Sequence, residues 1–145
     1  MVPSADSSGL ATTAVAVAKR RLRIIYADDL TELRDVARIS FARDGHDIEC
    51  YADGALALAR LIADPAFDLL ITDHHMPNMN GLELVTQLRT HVFLGKIMVF
   101  SSELSESIAR QYRIQRVDRI LYKPVFPSVL RQSLSELFPV PSLMA

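Results

Sequence analysis

Acidic, hydroxyl and amino side chains follow short apolar runs at several points of this 145-residue chain. Asp28 and Asp29 come after the first run, and Asp73, Ser101 and Lys123 come after later ones. Three carboxylates in one crevice repel each other by roughly several kcal/mol even at an effective dielectric constant near 20. Such crowding favours a hard divalent cation, and Mg²⁺ fits because it binds a few carboxylates and leaves a position for a phosphate oxygen.

These residue types suit phosphoryl transfer. A carboxylate beside Mg²⁺, an ammonium group and a hydroxyl donor can attack phosphorus, because the cations neutralise charge on the equatorial oxygens. The product would be an aspartyl phosphate. Taken singly, each residue also has a structural interpretation: Asp28 or Asp29 could cap a helix with Glu32 completing a capping box, and Lys123 could be a solvated surface lysine.

The pattern of apolar residues predicts the elements that must position these groups. Continuous runs rich in Ile, Val, Phe and Tyr indicate strands buried on both faces, and an alternating run indicates a strand nearer the edge. Segments with apolar residues at helical spacing separate them. The predicted buried strands are 22–27, 67–72, 97–100 and 120–122, the edge strand is 46–51, and the helices are 30–41, 52–63, 81–91, 106–115 and 128–138.

Five strands that alternate with five helices predict a doubly wound α/β fold, with a parallel sheet covered on both faces by right-handed crossovers. In such sheets the active crevice lies beyond the carboxyl ends of the strands. The acids, the hydroxyl and the ammonium group are therefore expected to converge at one edge of the sheet.

Composition excludes several classes of protein. The formal net charge of −1 argues against a protein that coats nucleic acid or anionic membranes. No apolar stretch reaches the roughly 18 residues of a spanning helix, so we expect no membrane insertion. Cys50 is the single cysteine, which excludes an internal disulfide framework and, without a secretory signal, favours the cytoplasm.

The chain is expected to hold one folded unit, residues 21–138. Residues 1–20, which are small, polar or Ala/Val-rich, are interpreted as a disordered N-terminal tail, and residues 139–145 as a C-terminal tail. Neither tail has room for a DNA-binding or catalytic domain. We therefore expect either a stand-alone unit that acts on another molecule or a fragment of something larger.

The stretch Asp73-His74-His75-Met76-Pro77-Asn78-Met79-Asn80-Gly81 resembles the phosphoacceptor motif D-x-x-M-P-x-M-x-G of response-regulator receiver domains. The Asp28-Asp29 pair, Ser101 with the small Ser102, and Lys123-Pro124 resemble the other fixed points of that CheY-like family, in the same order. The resemblance covers roughly residues 21–138. It implies a flavodoxin-like sheet with strand order 2-1-3-4-5.

The resemblance also implies roles for individual residues. Asp73 would accept a phosphoryl group from a histidine kinase or a histidine phosphotransfer protein. Asp29 would ligate Mg²⁺ directly, Asp28 partly through water, and the backbone carbonyl of His75 would supply another ligand. Lys123 would pair with Asp73 and then with the phosphoryl oxygens.

The implied output is a conformational switch. Ser101 would donate its hydroxyl to the phosphoryl group, and the change would reach the fourth helix, fifth strand and fifth helix, a face that could bind an effector or form a homodimer. The resemblance further implies a cis bond between Lys123 and Pro124. The chain would be a switch protein that contributes to its own phosphorylation and dephosphorylation, not an enzyme acting on a separate substrate.

Four positions near the site differ from the family pattern or carry a separate hypothesis. The family often has an aromatic residue three positions before the lysine, where this chain has Ile120. Tyr122 lies two residues along the same strand and could replace it as the readout, although a packing or partner-facing role is favoured. His75 and Glu103, two residues beyond Asp73 and Ser101, are hypothesised to control water access and so the lifetime of the phosphorylated state.

Three alternatives stay open at the sequence level. A haloacid-dehalogenase-like phosphatase also phosphorylates an aspartate, but it needs a second acid where this chain has His75. A flavodoxin-like electron carrier needs a hydroxyl-rich phosphate loop where this chain has Asp28 and Asp29. A degenerate receiver would act as an unphosphorylated protein-interaction module.

The charges are unevenly distributed along the chain. Residues 24–83 hold twelve acids and four bases, whereas residues 103–135 hold three acids and six bases. Arg110, Arg113 and Arg116 are spaced at three and could share one side of the fourth helix. That row is either a solvated surface or a docking patch for an acidic partner or a second copy.

Overall fold

The computed structural model describes residues 20–140, which contain five strands and five helices in strict alternation. The two expected tails therefore lie almost entirely outside the described residues. The strands are β1 (Arg23–Ala27), β2 (Asp47–Tyr51), β3 (Leu69–Asp73), β4 (Lys96–Ser101) and β5 (Arg119–Tyr122). The helices are α1 (Thr31–Arg43), α2 (Gly54–Ala63), α3 (Gly81–Leu88), α4 (Glu106–Ile114) and α5 (Pro127–Leu137).

The strands form one parallel sheet in the order β2-β1-β3-β4-β5, which confirms the predicted doubly wound topology. The chain moves from β1 to one edge at β2 and then crosses back to β3, so strand order reverses between β1 and β3. A crevice opens at such a reversal point, beyond the carboxyl ends of the strands. In the register of the sheet, Ala27 of β1 pairs with Thr72 of β3, so the next residues of both strands reach the same edge.

Two layers of apolar side chains hold the helices against the sheet. One face of the central strands packs against α2, α3 and α4, with Ile25, Leu70 and Val99 among its fully buried residues. The other face packs against α1 and α5, and Ile24 and Ile71 are buried there. Alternate residues of β1 and β3 thus serve opposite layers, which is why these strands read as continuous apolar runs.

The two outer strands are less buried than the central ones. The residues of β2 are exposed or half-buried, as the alternating pattern predicted. The prediction that 120–122 is buried on both faces was wrong, because β5 lies at the other edge and its residues are half-buried or exposed. A run of only three apolar residues carries too little pattern to distinguish an edge strand from a central one.

None of the helices within residues 20–140 is both long and apolar enough to cross a lipid bilayer.

Candidate functional site

Three carboxylates meet at the carboxyl ends of β1 and β3. One oxygen from each of Asp28, Asp29 and Asp73 lies within 4.8 Å of the other two. Asp28 is fully buried, Asp73 is 7% exposed and Asp29 faces solvent. The three acids thus offer a small oxygen cluster that is open on one side, and this donor set fits Mg²⁺, which prefers a few carboxylates and several waters.

Asp28 is held by donors on three sides. Its carboxylate accepts hydrogen bonds from the Tyr26 hydroxyl at 3.0 Å, the Leu30 backbone amide at 3.1 Å and the Lys123 ammonium at 2.9 Å. The capping-box alternative is wrong, because the N-cap of α1 is Leu30 and no side chain caps that helix end. A buried carboxylate needs such partners, since desolvation of an unpaired charge costs several kcal/mol.

Lys123 bridges two of the acids. Its Nζ lies 2.9 Å from Asp28 Oδ2 and 3.4 Å from Asp73 Oδ2, and its side chain is only 16% exposed. The interpretation of Lys123 as a solvated surface lysine is therefore wrong. The peptide bond that follows, Lys123–Pro124, is cis, as the resemblance implied. The ammonium partly neutralises the negative charge of Asp28 and Asp73. Asp29 is the exposed member of the cluster.

Asp73 is the last residue of β3, whereas the sequence predicted that it directly follows the strand. Its Oδ1 accepts a hydrogen bond from the backbone amide of His74 at 2.8 Å. Burial raises the pKa of the Asp73 carboxyl above its usual value; Lys123 opposes that rise, and the charge of Asp28 adds to it. A cation bound beside Asp73 would favour the ionised, nucleophilic form.

The two adjacent histidines occupy different environments. His74 is buried, and its Nδ1 lies 2.6 Å from the hydroxyl oxygen of Tyr112 on α4. His75 is exposed, which leaves its proposed effect on water access a prediction. Burial and then the neighbouring His75 lower the pKa of His74, so its ring is neutral at pH 7. The sequence did not predict the His74–Tyr112 pair, because it indicated only that Tyr112 lies in a helix.

The loop after Asp73 is anchored to α2. Asp53 caps α2 by accepting from the Leu56 amide at 2.9 Å, and its second oxygen accepts from the Asn78 side-chain amide at 2.8 Å. The Gly54 amide donates to the carbonyl of Met79 at 3.1 Å. A side chain at Gly54 would put its Cβ 2.6 Å from that carbonyl oxygen, so a glycine is needed there for close approach. Sequence reasoning missed Asp53, although an aspartate just before a helix is a capping signal.

Ser101 ends β4 and is fully buried, but its hydroxyl is directed along its own loop. The Ser101 Oγ donates to the backbone carbonyl of Glu103 at 3.3 Å, a long hydrogen bond. Glu103 itself is exposed. The proposed contact of Ser101 with a phosphoryl group on Asp73 therefore requires the hydroxyl to exchange partners.

The two candidate readout residues of β5 lie in different surroundings. Ile120 is half-buried and packs against the layer that includes α4. Tyr122 is 53% exposed. An exposed ring accords with the partner-facing interpretation of Tyr122, while its role as a readout stays a prediction.

The basic row does not lie along one helix. Arg110 and Arg113 belong to α4, and Arg113 pairs with Glu106 at 2.7 Å. Arg116 lies beyond the helix end at Gln115, with a positive φ of 61°. The expectation that all three arginines share one side of the helix was wrong, because α4 ends before Arg116.

Residues 24–135 match the model of the response regulator receiver domain. Sensor histidine kinase AruS of Pseudomonas aeruginosa is 31% identical over 137 residues, covering 92% of this chain and 13% of the kinase. The sensory/regulatory protein RpfC of Xanthomonas campestris is 30% identical over 81% of this chain and 17% of its own length. The chain thus spans less than a fifth of these two relatives.

Smaller proteins match over most of their length. A chemotaxis protein CheY homologue of Campylobacter jejuni is 29% identical, covering 80% of this chain and 92% of the homologue. The solved structure of Vibrio cholerae chemotaxis protein CheY4 superposes with a TM-score of 0.75 and 26% identity, over 82% of this chain and 100% of that chain. A receiver domain from Methanospirillum hungatei shows the same fold with a TM-score of 0.76. With its sheet order and acid cluster, the chain belongs to the family of response regulator receiver domains.

Proposed function

We propose that this chain is a phosphorylation-driven switch, in which Asp73 accepts a phosphoryl group from a histidine kinase or a histidine phosphotransfer protein in the cytoplasm. One observation carries the proposal: the Asp73 carboxylate lies within 4.8 Å of two further carboxylates and 3.4 Å from the Lys123 ammonium. The similarity to sensor kinases and CheY homologues supports the same signalling context.

Asp29, Asp28 and Asp73 would hold Mg²⁺, with the His75 backbone carbonyl as a further ligand. Asp29 is the exposed member of the cluster, so its carboxylate is accessible for direct ligation. Asp28 already accepts from three donors, which favours a contact through water. When bound, Mg²⁺ supplies positive charge that stabilises the phosphoryl oxygens and keeps Asp73 ionised.

The transfer itself forms one bond and breaks one. An oxygen of the Asp73 carboxylate attacks phosphorus, and the phosphorus–nitrogen bond of the phosphohistidine breaks, leaving the imidazole to take up a proton. Lys123 is placed to follow the charge, since its ammonium already touches both Asp28 and Asp73. Because the chain's own acid is the acceptor, it turns over no separate substrate.

Ser101 and Lys123 would then convert the new charge into a change of shape. A phosphoryl group offers the Ser101 hydroxyl a stronger acceptor than the Glu103 carbonyl, since hydrogen bonds to charged oxygens are about twice as strong as neutral ones. The exchange would pull the start of the loop before α4 toward Asp73 and change the surface formed by α4, β5 and α5. An effector or a second copy would distinguish the two states.

Phosphorylation with acetyl phosphate and Mg²⁺, followed by intact-mass measurement, tests this proposal. We expect the wild-type chain to gain one phosphoryl group and Asp73→Asn to gain none. Asp35→Asn is the matched control, because that carboxylate pairs with Arg38 on the exposed surface of α1. Removing Mg²⁺ with a chelator is expected to abolish the gain, and Asp29→Asn to raise the Mg²⁺ concentration required.

The contrary result is well defined. If the wild-type chain gains no phosphoryl group and Mg²⁺ leaves its melting temperature unchanged, the chain is a degenerate receiver that works as a protein-interaction module. If Asp73→Asn and wild type gain equal mass, another residue is the acceptor.

A further inference from the structure

A continuous series of hydrogen bonds leads from the Asp73 carboxylate to α4. The His74 backbone amide donates to Asp73 Oδ1 at 2.8 Å, and the His74 ring shares a 2.6 Å hydrogen bond with the Tyr112 hydroxyl. Tyr112 belongs to α4, one of the elements whose surface is assigned above to the output. One residue, His74, therefore contacts the phosphoacceptor through its main chain and α4 through its side chain.

This link is tightly enclosed. Tyr112 is fully buried and His74 is 7% exposed, and their rings meet edge to face with centroids 5.5 Å apart. Gly81 packs closely against this pair: a Cβ at that position would lie 2.5 Å from the Tyr112 hydroxyl oxygen and against the Asp73 carbonyl. The pair has little free space around it, so a displacement of His74 must move its neighbours.

Tyr112 is also the main anchor of α4. Ala109 and Tyr112 are the buried residues of that helix, and Tyr112 is the only one of the two with a large side chain. On β5, by contrast, Ile120 has no polar group and the Tyr122 ring is exposed. Among these three candidates, Tyr112 alone combines full burial with a hydrogen bond that leads to the phosphoacceptor.

We propose that Tyr112, acting through His74, couples the state of the Asp73 carboxylate to the position of α4. Loss of negative charge on Oδ1, by esterification or by substitution, weakens the hydrogen bond from the His74 amide, because bonds to ionised acceptors are the stronger ones. The main chain at His74 then moves, and its ring carries Tyr112 and α4 with it. Tyr112 is thus a positioning residue, and its role in signalling rests on the proposed function.

The coupling can be measured without phosphorylation. In the full chain, Asp73→Ala removes the acceptor of the His74 amide, and the backbone amide NMR shifts of residues 106–114 report α4. We expect clear shift changes when Asp73→Ala is made in the wild-type chain, and less than half of those changes when it is made in a Tyr112→Phe chain. Tyr112→Phe keeps the ring and removes only the hydroxyl.

Tyr51→Phe is the matched control. It also removes a hydrogen-bonded hydroxyl, which in this case donates to Glu49 at 2.7 Å, but Tyr51 lies outside the series from Asp73. The response of α4 to Asp73→Ala should be unchanged in the Tyr51→Phe chain, whereas a merely structural role for Tyr112 would lower stability and leave that response intact. If Tyr112→Phe does not fold, His74→Phe removes the same hydrogen bond from the other side.

Two results overturn the coupling: α4 shifts that do not change with Asp73→Ala, or changes that are equal with and without the Tyr112 hydroxyl. A phosphorylation arm separates this inference from the proposed function. With acetyl phosphate and Mg²⁺, Tyr112→Phe should gain the same mass as wild type and show less than half of its α4 response. If wild type gains no mass, the proposed function fails while the Asp73→Ala comparison still decides the coupling.

Discussion

The two loops that border Asp73 are held in very different ways. The loop from β3 to α3, residues 74–80, is tied to α2 by the Asp53–Asn78 and Gly54–Met79 hydrogen bonds and encloses the buried His74. The loop from β4 to α4, residues 102–105, is exposed or half-buried throughout. The Ser101 hydroxyl donates a long hydrogen bond of 3.3 Å to the Glu103 carbonyl in this loop.

The two loops are suited to different requirements, a fixed position in one case and a change of conformation in the other. A nucleophile must stay in place relative to its metal ligands, and misplacement by about 1 Å can cost roughly 100-fold in rate. A segment that changes conformation must instead have few strong contacts to break. The anchored loop therefore suits the proposed role of Asp73 as a nucleophile, and the weakly held loop suits the movement that the proposed switch requires. Four predictions test this contrast.

Gly81→Ala should have the largest effect, because it adds a methyl group where the anchored loop has no space. The new Cβ would press on the Asp73 carbonyl and the Tyr112 hydroxyl. We expect a loss of about 2 kcal/mol in the free energy of unfolding, the usual cost of overpacking. Urea unfolding measures it. Ser102→Ala in the exposed loop should change stability by less than about 0.5 kcal/mol; equal losses for both would remove the contrast.

Asp53→Ala and Ser105→Ala compare helix caps in the two loops. Asp53 caps α2 and also holds Asn78, whereas Ser105 caps α4 by accepting from Ile108 at 3.1 Å. We expect a loss of about 1.5 kcal/mol for Asp53→Ala and of about 0.7 kcal/mol for Ser105→Ala in thermal or urea unfolding. An effect of Ser105→Ala as large as that of Asp53→Ala would show that the β4–α4 loop is equally constrained.

Ser101→Ala should separate stability from response. Within residues 20–140, the Ser101 hydroxyl makes a single long hydrogen bond, to the carbonyl of the exposed Glu103, so its removal should change the unfolding free energy by about 0.5 kcal/mol or less. Phosphorylation should raise the melting temperature of Ser101→Ala by less than it raises that of wild type, because the phosphoryl group loses a hydrogen-bond donor. Calorimetry with and without acetyl phosphate measures both quantities. A full response in Ser101→Ala would contradict the assigned role of the hydroxyl.

The smallest expected effect is a pH dependence of the anchored loop. The hydrogen bond from the Leu56 amide, and then that from Asn78, lower the pKa of Asp53 below its usual value of 3.8. A lowered folded-state pKa gives stability that is complete above pH 3.8 and is lost as pH falls through the folded value. The carboxylate at the helix N-terminus should make the free energy of unfolding of wild type about 0.3 kcal/mol larger than that of Asp53→Asn. This difference should vanish in acid, where Asp53 is protonated.

Urea unfolding of both chains between pH 2.5 and pH 7 tests that difference. An advantage that is constant across this range would show that the charge of Asp53 contributes nothing. Ser105 has no charge to lose, so the stability difference between wild type and Ser105→Ala should be independent of pH over the same interval.

Much of the fold and of the site was predictable from local pattern. Apolar runs separated by helical spacing identified all five strands and helices, with ends displaced by up to about three residues. The acids after β1 and β3 and the lysine after β5 were assigned to one edge because parallel strands end together. Periodicity alone could not show that Asp73 and Ser101 belong to their strands, since polar residues break the apolar pattern that marks a strand.

The sequence by itself therefore determined the topology, the acid cluster and the family of this chain, because those follow from the order and spacing of residues. Tertiary structure decided which partner each polar side chain has. Asp28 is fully enclosed, Lys123 bridges Asp28 and Asp73, and the His74 ring contacts Tyr112 on α4. These contacts join residues that lie far apart in the chain, and only the packing of helices against the sheet determines which of them meet.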